Sequence, residues 1–289
     1  MILITGATGQ IGTEVTRELS TARVRFRALV RSVGKAQAVR SAGGEAVVGD
    51  LTDAPTLRTA LEGVERLFLL TPPSPEKASI EASVIDEARR AGVRHVVKLS
   101  IVGADASPPI ALARPHRESE RHIEDSGLAY TFLRPNFFMQ NYLQYGATIR
   151  TLGVVYAPAG AGRHADIDVR DIAAVAARIL AEEGHEGRIY ELTGPEAQSF
   201  ADAAHRISTI TGRNVRFVDL SPEEGRKAMV GGGIPEWFAD ALLELYAWFP
   251  RGHGTTNGSA VTLAVEEVLD RPPRSFDQFA RENVKTFGG

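Results

Sequence analysis

The stretch Ile2-Leu3-Ile4-Thr5-Gly6-Ala7-Thr8-Gly9-Gln10-Ile11-Gly12 decides how the chain is read. Ile2–Thr5 is a short apolar strand. From Ile11 to Ser20 the apolar residues Ile11, Val15 and Leu19 recur on one face of a helix. A glycine cluster that joins a strand to a helix is the setting of a dinucleotide fingerprint. The first glycine makes the tight turn. The next lets backbone approach a pyrophosphate, and the third lets helix and strand pack closely. The helix start then offers free N–H groups and the positive end of the helix dipole to phosphate. The spacing is GxxGxxG rather than GxGxxG, so the position after a strand and before a helix carries the assignment.

Working outward, Phe26–Val30, Ala46–Val48, Leu67–Leu70, Val93–Leu99 and Ala129–Leu133 read as further strands. Helical patterns at Pro75–Ala91 and Arg114–Ser126 are closed by Gly92 and Gly127. This alternation predicts a Rossmann-type α/β fold, a doubly wound parallel sheet with right-handed crossovers. In the second half, Val169–Leu180, Phe200–Thr211, Pro235–Phe249 and Ser275–Thr286 read as helices, and Arg188–Leu192 and Val215–Val218 as strands. The expectation is a mainly nucleotide-binding part over 1–150. A small C-terminal α/β substrate subdomain follows over 151–289, interleaved with the first and seated on the sheet's carboxyl edge. Gly231-Gly232-Gly233 and Pro250–Ser259 are expected to be the mobile stretches.

The chain has 289 residues, 33 Lys+Arg against 36 Asp+Glu, and no Cys. That length buries a sizeable core without a disulfide or metal staple. A formal charge of -3 speaks against a general nucleic-acid binder. Without Cys there is no disulfide framework, zinc ribbon or thiol nucleophile. No apolar stretch approaches the ~20 residues of a membrane span. The N-terminus lacks the basic region of a signal peptide, and the expected location is cytoplasmic. No G-x-S-x-G elbow occurs, and the histidines show no metal-ligand spacing.

The choice of dinucleotide is a question of charge. An NAD site usually places Asp or Glu at the end of the second strand. Here that strand ends Ala28-Leu29-Val30-Arg31-Ser32, with Lys35 nearby. Arg31 would clamp a 2′-phosphate through its planar fork, and Lys35 would add a point charge. NADP(H) is therefore expected over NAD(H). Asp50, in Val48-Gly49-Asp50-Leu51, would either bond the adenine amino group or cap the following turn.

Together, GATGQIG, ALVRS with its following Lys, VVGDLTD and GLAYTFLRPNFFMQN resemble the NmrA-like group of atypical short-chain dehydrogenases/reductases, of the triphenylmethane reductase and NAD(P)H:quinone oxidoreductase type. The resemblance extends through DVRDIAAVAARIL and GHEGRIYELTG, nearly end to end. It implies that Gly6, Ala7, Thr8, Gly9, Gln10 and Ile11 lie along the pyrophosphate. Arg31 and Lys35 would read the 2′-phosphate, and Asp50 and Leu51 would flank adenine. Leu70, Thr71 and Pro72 would line the ribose and nicotinamide, with Ser100 and Ile101 beside the nicotinamide. Pro135, Asn136 and Phe137 would approach the carboxamide and the substrate.

Ordinary short-chain reductases use a Tyr-x-x-x-Lys pair, in which Lys lowers the Tyr pKa so that Tyr donates a proton as hydride arrives. None of the six tyrosines here has Lys four residues on. Where related proteins place Lys, four residues before Glu120, this chain has His116. His116 would bind the nicotinamide ribose or substrate, or act as a general acid. With Ser100 it forms the candidate catalytic set. Without the relay, quinones and cationic dyes are the fitting acceptors. Their reduction gives a stabilised anion or a neutral product rather than an alkoxide. Phe137, Phe138, Met139, Tyr142 and Trp237 would form an aromatic wall for a flat acceptor.

The leading expectation is an NADPH-dependent reductase of a quinone or other conjugated aromatic acceptor in secondary metabolism, working as a monomer or homodimer. A non-catalytic dinucleotide sensor that regulates a partner protein, and a tailoring enzyme of aromatic polyketides, are the alternatives.

Overall fold

The computed structural model describes residues 1–106, 110–249 and 258–289. Its strands are β1 (Ile2–Ile4), β2 (Phe26–Val30), β3 (Glu45–Val48), β4 (Arg66–Leu69), β5 (His95–Leu99), β6 (Ala129–Pro135), β7 (Val154–Ala157), β8 (Arg163–His164), β9 (Arg188–Leu192), β10 (Gln198–Ser199) and β11 (Arg216–Asp219). Seven of them form one sheet in the order β3-β2-β1-β4-β5-β6-β9, every neighbour parallel. The strand order reverses beside β1, where an open α/β sheet places its ligand crevice.

Helices α1 (Gln10–Thr21), α2 (Val33–Ser41), α3 (Ala54–Leu61), α4 (Lys77–Arg90) and α5 (Ala113–Ser126) connect the first six strands. The apolar strand residues alternate between two cores, as a doubly covered sheet requires. Ile2, Ile4, Phe68, Val97 and Leu133 pack on one face with α1 and with α7 (Val169–Ala181). Leu3, Leu67, Leu69, Val96 and Phe132 pack on the other with α3, α4 and Ile123 of α5. Gly127 ends α5 in the left-handed region at φ 78°, and Gly92 follows α4 at φ 81°.

The second half returns to the sheet before it builds its own layer. α6 (Gly146–Leu152) and β7 come first, and α7 and β9 then rejoin the main sheet. α8 (Phe200–Thr211), α9 (Pro222–Gly231) and α10 (Glu236–Trp248) follow, with the two-stranded pairs β7–β11 and β8–β10. An aromatic core of Tyr142, Phe200, Phe276, Phe279 and Phe287 holds this layer together.

Two expectations change here. After a separate α11 (Ala264–Leu269), the last helix, read as Ser275–Thr286, is two short pieces, α12 (Phe276–Glu282) and α13 (Val284–Phe287). Asn283 separates the last two; its side chain donates to the Phe279 carbonyl and ends α12. The glycines 231–233 are a hydrogen-bonded helix end rather than a loose loop: Gly232 N–H reaches Ala228 O at 3.0 Å and Gly233 N–H reaches Val230 O at 3.0 Å. Most of Pro250–Ser259 lies outside the described residues. Among the described residues, no helix is long and apolar enough to cross a membrane, and no group of three or more His, Cys, Asp or Glu is placed to hold a metal.

Candidate active site

The loops that follow β1 to β6 open onto a cleft of about 1460 Å³, closed on its far side by α9 and α10. The expected residues converge on it. Gly6 to Ile11, Arg31, Lys35, Asp50, Leu51, Leu70 to Pro72, Ser100, Ile101, His116, Pro135 to Phe138 and Trp237 all line its wall.

Each glycine of the turn has its own reason. Gly6 sits at φ 63°, and a Cβ there would lie 2.8 Å from the Leu70 carbonyl oxygen. A Cβ on Gly12 would stand 2.1 Å from the Gly6 oxygen, so helix and turn can touch only through glycine. Gly9 differs. A Cβ there would meet nothing nearer than the Gly6 oxygen at 3.5 Å, so the protein itself does not require glycine. The open flank of Gly9 faces the cleft, at the N-cap of α1. That end carries no side-chain cap and no acidic residue in its first turn. Thr13 N–H is the first to find a helical acceptor, the Gly9 oxygen at 2.9 Å. The N–H groups of Gln10 to Gly12 precede it and point outward from the helix end. These features fit a dinucleotide pyrophosphate.

Arg31 and Lys35 are exposed on the rim beyond β2. Ser32 caps α2 by accepting from Lys35 N–H. Of the two roles open to Asp50, turn capping is the one observed: its Oδ1 accepts from Thr52 N–H at 2.9 Å and from Thr52 Oγ1 at 2.7 Å. Those bonds, with Arg31 nearby, hold its carboxyl below the usual range.

The centre of the cleft rests on two buried polar networks. In the first, Ser100 Oγ donates to Glu120 Oε1 at 2.6 Å. Arg134 grips the same carboxylate, with Nε at 3.0 Å and a terminal nitrogen at 2.8 Å, and Arg117 joins at 3.1 Å. The Ser100 proton is thus committed, and the hydroxyl offers the cleft an acceptor. In the second, Glu81 of α4 takes Lys98 Nζ at 2.6 Å, Lys77 Nζ at 2.9 Å and Thr71 Oγ1 at 2.5 Å. Lys77 Nζ also donates to Thr71 Oγ1 at 2.7 Å and to Thr71 O at 3.1 Å. Burial alone would raise the Glu81 pKa, but the two ammonium groups overcome it and hold the carboxylate ionised.

His116 stands against this second network. Burial, then the charges of Lys98 and Lys77, push its pKa well below the ordinary value, against a hydrogen bond to the Leu99 backbone. Its Nδ1 is buried without a partner. Burial and then the two cations disfavour the imidazolium, which speaks against the expected general acid and for a neutral ring that accepts at Nδ1.

Two expected wall residues are not in the wall. Met139 and Tyr142 lie in a 3-10 segment, Met139–Tyr145, whose inner face turns into the aromatic core. Tyr142 is fully buried, its ring 5.3 Å from that of Phe200 and 5.0 Å from that of Phe276. Asn141 and Tyr145 of the same segment line the cleft, and Tyr145 also packs on the aromatic core, its ring 6.4 Å from that of Tyr142. Asn136 has its side chain committed, with Oδ1 accepting from Phe137 N–H at 2.7 Å and Nδ2 donating to Gly258 O at 2.9 Å.

The sequence reading missed most of the cleft wall formed by α9 and α10. Met229, Ile234, Leu242, Leu245, Tyr246 and Phe249 line it, from α9, α10 and the segments beside them. The run Trp237 to Phe249 carried the signal, since so apolar a helix must cover something. It also missed Lys77, Glu81 and Lys98. A lysine inside the buried run Val96-Val97-Lys98-Leu99 was the available clue, because such a charge needs a buried partner. Tyr145 and Tyr246 are the buried phenols of the cleft. Burial pushes Tyr246 up to about 12 and Tyr145 well above its ordinary value, so neither is a ready proton donor.

A family model described as NAD(P)H-binding matches residues 6–183. The chain is 42% identical over 288 residues to an NAD(P)H azoreductase of Xenophilus azovorans, covering 100% of this chain and 99% of that protein. Its fold matches an NADPH-dependent quinone oxidoreductase from Escherichia coli complexed with NADPH, with TM-score 0.88 and 32% identity over 98% of this chain and 99% of the other. It also matches a Citrobacter sp. triphenylmethane reductase complexed with NADP(H), with TM-score 0.85 and 29% identity over 98% and 99% of the two chains. Geometry and similarity agree, and the chain belongs to the NAD(P)H-binding family.

Proposed function

We propose that this protein is an NADPH-dependent reductase that delivers hydride to a quinone, an azo compound or another conjugated aromatic acceptor, without a Tyr-Lys proton relay. The single observation that carries this reading is the continuity of one cleft, from the glycine turn and Arg31 at one end to the aromatic wall of α10 at the other. The names and NADPH complexes of the relatives support it.

In this reading Gly6 to Ile11 hold the pyrophosphate and Arg31 with Lys35 the 2′-phosphate. Ser100 and His116 act as fixed acceptors at the nicotinamide end. Phe137, Phe138, Trp237 and Tyr246 hold a flat acceptor and keep water from it. Bound NADPH supplies the hydride. The residues of the chain supply position, which removes much of the entropic barrier of a bimolecular step. The reading is tested by titrating purified protein with NADPH and NADH, then adding menadione or an azo dye. Turnover with NADPH supports it. Tight NADPH binding without turnover across acceptors points instead to a dinucleotide sensor.

A further inference from the structure

The Lys77–Glu81–Lys98 cluster does not balance. Two ammonium groups share one carboxylate, a net charge of +1, and the side chains are 4%, 0% and 0% exposed. Every other buried charge nearby is answered: Glu120 is taken by Arg134 and Arg117, and Arg134 also pairs with Asp105 at 2.8 Å. His116, on the remaining side of the cluster, is neutral and adds no negative charge. The other carboxylates of this part of the wall, Glu76 and Glu118, are exposed and screened by water. The ammonium of Lys77 is pushed down to about 8 by burial and by Lys98, which is how an incompletely compensated cation behaves.

A net buried charge is costly, and folding alone gains nothing from the second lysine, since Lys98 already neutralises Glu81. Lys77 and Thr71 form part of the cleft wall, in the stretch after β4. Their bonds leave Lys77 no freedom to swing: its three N–H donors meet Thr71 O, Thr71 Oγ1 and Glu81. The charge is therefore fixed in place before any ligand arrives, the arrangement that stabilises charge developing in a reaction without reorganisation.

We infer that the Thr71–Lys77–Glu81–Lys98 cluster is a fixed positive wall of the acceptor site, which selects acceptors that are anionic or become anionic on reduction and rejects cationic ones. The inference rests on the reductase reading for its catalytic half. Hydride from reduced nicotinamide adds to a neutral quinone, the displaced π electrons settle on oxygen, and the product is a hydroquinone monoanion that water then protonates. The wall stabilises that anion and does not itself transfer the proton. A cationic dye loses its charge on taking hydride, so the wall opposes its binding and gives nothing to its product.

The test is equilibrium binding of three probes to the full chain: 1,4-naphthoquinone-2-sulfonate, 2-methyl-1,4-naphthoquinone and a cationic triphenylmethane dye. It is run on the native protein and on Lys77→Met and Lys98→Met. Each variant keeps one lysine on Glu81, and circular dichroism checks its fold. The anionic-to-cationic affinity ratio should fall roughly tenfold in either variant, the scale of one unit charge removed from a partly dry wall. With saturating NADPH, kcat for the neutral quinone should also fall. Folded variants with an unchanged affinity ratio overturn the proposal. If native protein binds no NADPH, the reductase reading fails, yet the probe ratios still decide the charge of the wall. If only one of the two variants folds, its ratio alone decides the matter.

Discussion

Gly12 and Gly6 touch backbone to backbone: a Cβ at residue 12 would stand 2.1 Å from the Gly6 oxygen, whereas a Cβ on Gly9 would have 3.5 Å of clearance from the same atom. The fold requires one glycine and not the other, and in the proposed reading Gly9 serves the dinucleotide; two substitutions separate the roles. Gly12→Ala should cost about 1–3 kcal/mol of stability by overpacking, read from urea unfolding. Gly9→Ala should unfold within about 0.5 kcal/mol of the native protein, the scale of an uncrowded substitution, yet lose NADPH affinity by more than tenfold. Equal loss of stability in both would remove the distinction.

Arg31 and Lys35 sit on the exposed rim beyond β2, where the sequence places no carboxylate. Arg31→Ala should weaken NADPH by roughly 10- to 100-fold, the value of a charge-assisted hydrogen bond, and leave NADH nearly unchanged. Paired titrations by protein fluorescence give the two constants. An equal loss for both dinucleotides would take the 2′-phosphate away from Arg31.

Lys77 gives a pH signature in both rate and stability. Burial and Lys98 lower its pKa from 10.5 to about 8, so the folded chain gives up this proton before the unfolded chain does. Between about pH 8 and 10.5 the unfolded state binds more protons, so the contribution of Lys77 to stability rises with pH, and below pH 8 its full penalty is present. Quinone reduction should decline through about pH 8 as the wall loses charge, and Lys77→Met should lack that limb. Rate–pH profiles of both proteins, with unfolding at pH 7 and pH 10, measure the two effects.

His116 is held neutral by burial and by Lys98 and Lys77. Its folded pKa is depressed, so stability is lost as pH falls through the unfolded value near 6.5 and below. In the range 6 to 7.5 the rate should show no acid limb assignable to this ring. His116→Asn should lower kcat/KM roughly three- to tenfold with an unchanged profile, the size of one neutral hydrogen bond. The disappearance of a limb near pH 6.5 in the variant would restore the general acid.

Tyr246 lines the cleft with its phenol pushed up to about 12 by burial. Tyr246→Phe should retain kcat within about twofold, where loss of a general acid would cost 10²–10⁴-fold. A loss of that larger size would identify Tyr246 as a proton donor reached without the usual motif.

The first half of the molecule was legible because parallel strands announce themselves. Val96-Val97 and Leu67 to Leu69 are unbroken apolar runs, and Gly92 and Gly127 punctuate the helices that precede strands. α2 and α3 were missed. α2 is nine residues with only Ala36 and Val39 buried, too shallow a stripe for periodicity to show. The residues expected to hold the cofactor converge on one cleft because short loops after the strands fix their position in sequence. The far wall of the cleft is made by α9, α10 and a 3-10 segment that meet only in three dimensions. There residues of one segment differ: Tyr142 lies wholly in the core, while Tyr145, three residues on and packed on the same core, also reaches the cleft, which residue type alone does not tell.

The most direct test of the central claim is a stopped-flow measurement on purified protein preloaded with NADPH or NADH and mixed with menadione. The account predicts single-turnover oxidation of bound NADPH that depends on menadione concentration, with NADH bound far more weakly. Saturable NADPH binding with no oxidation by menadione, azo dyes or other conjugated acceptors would contradict it.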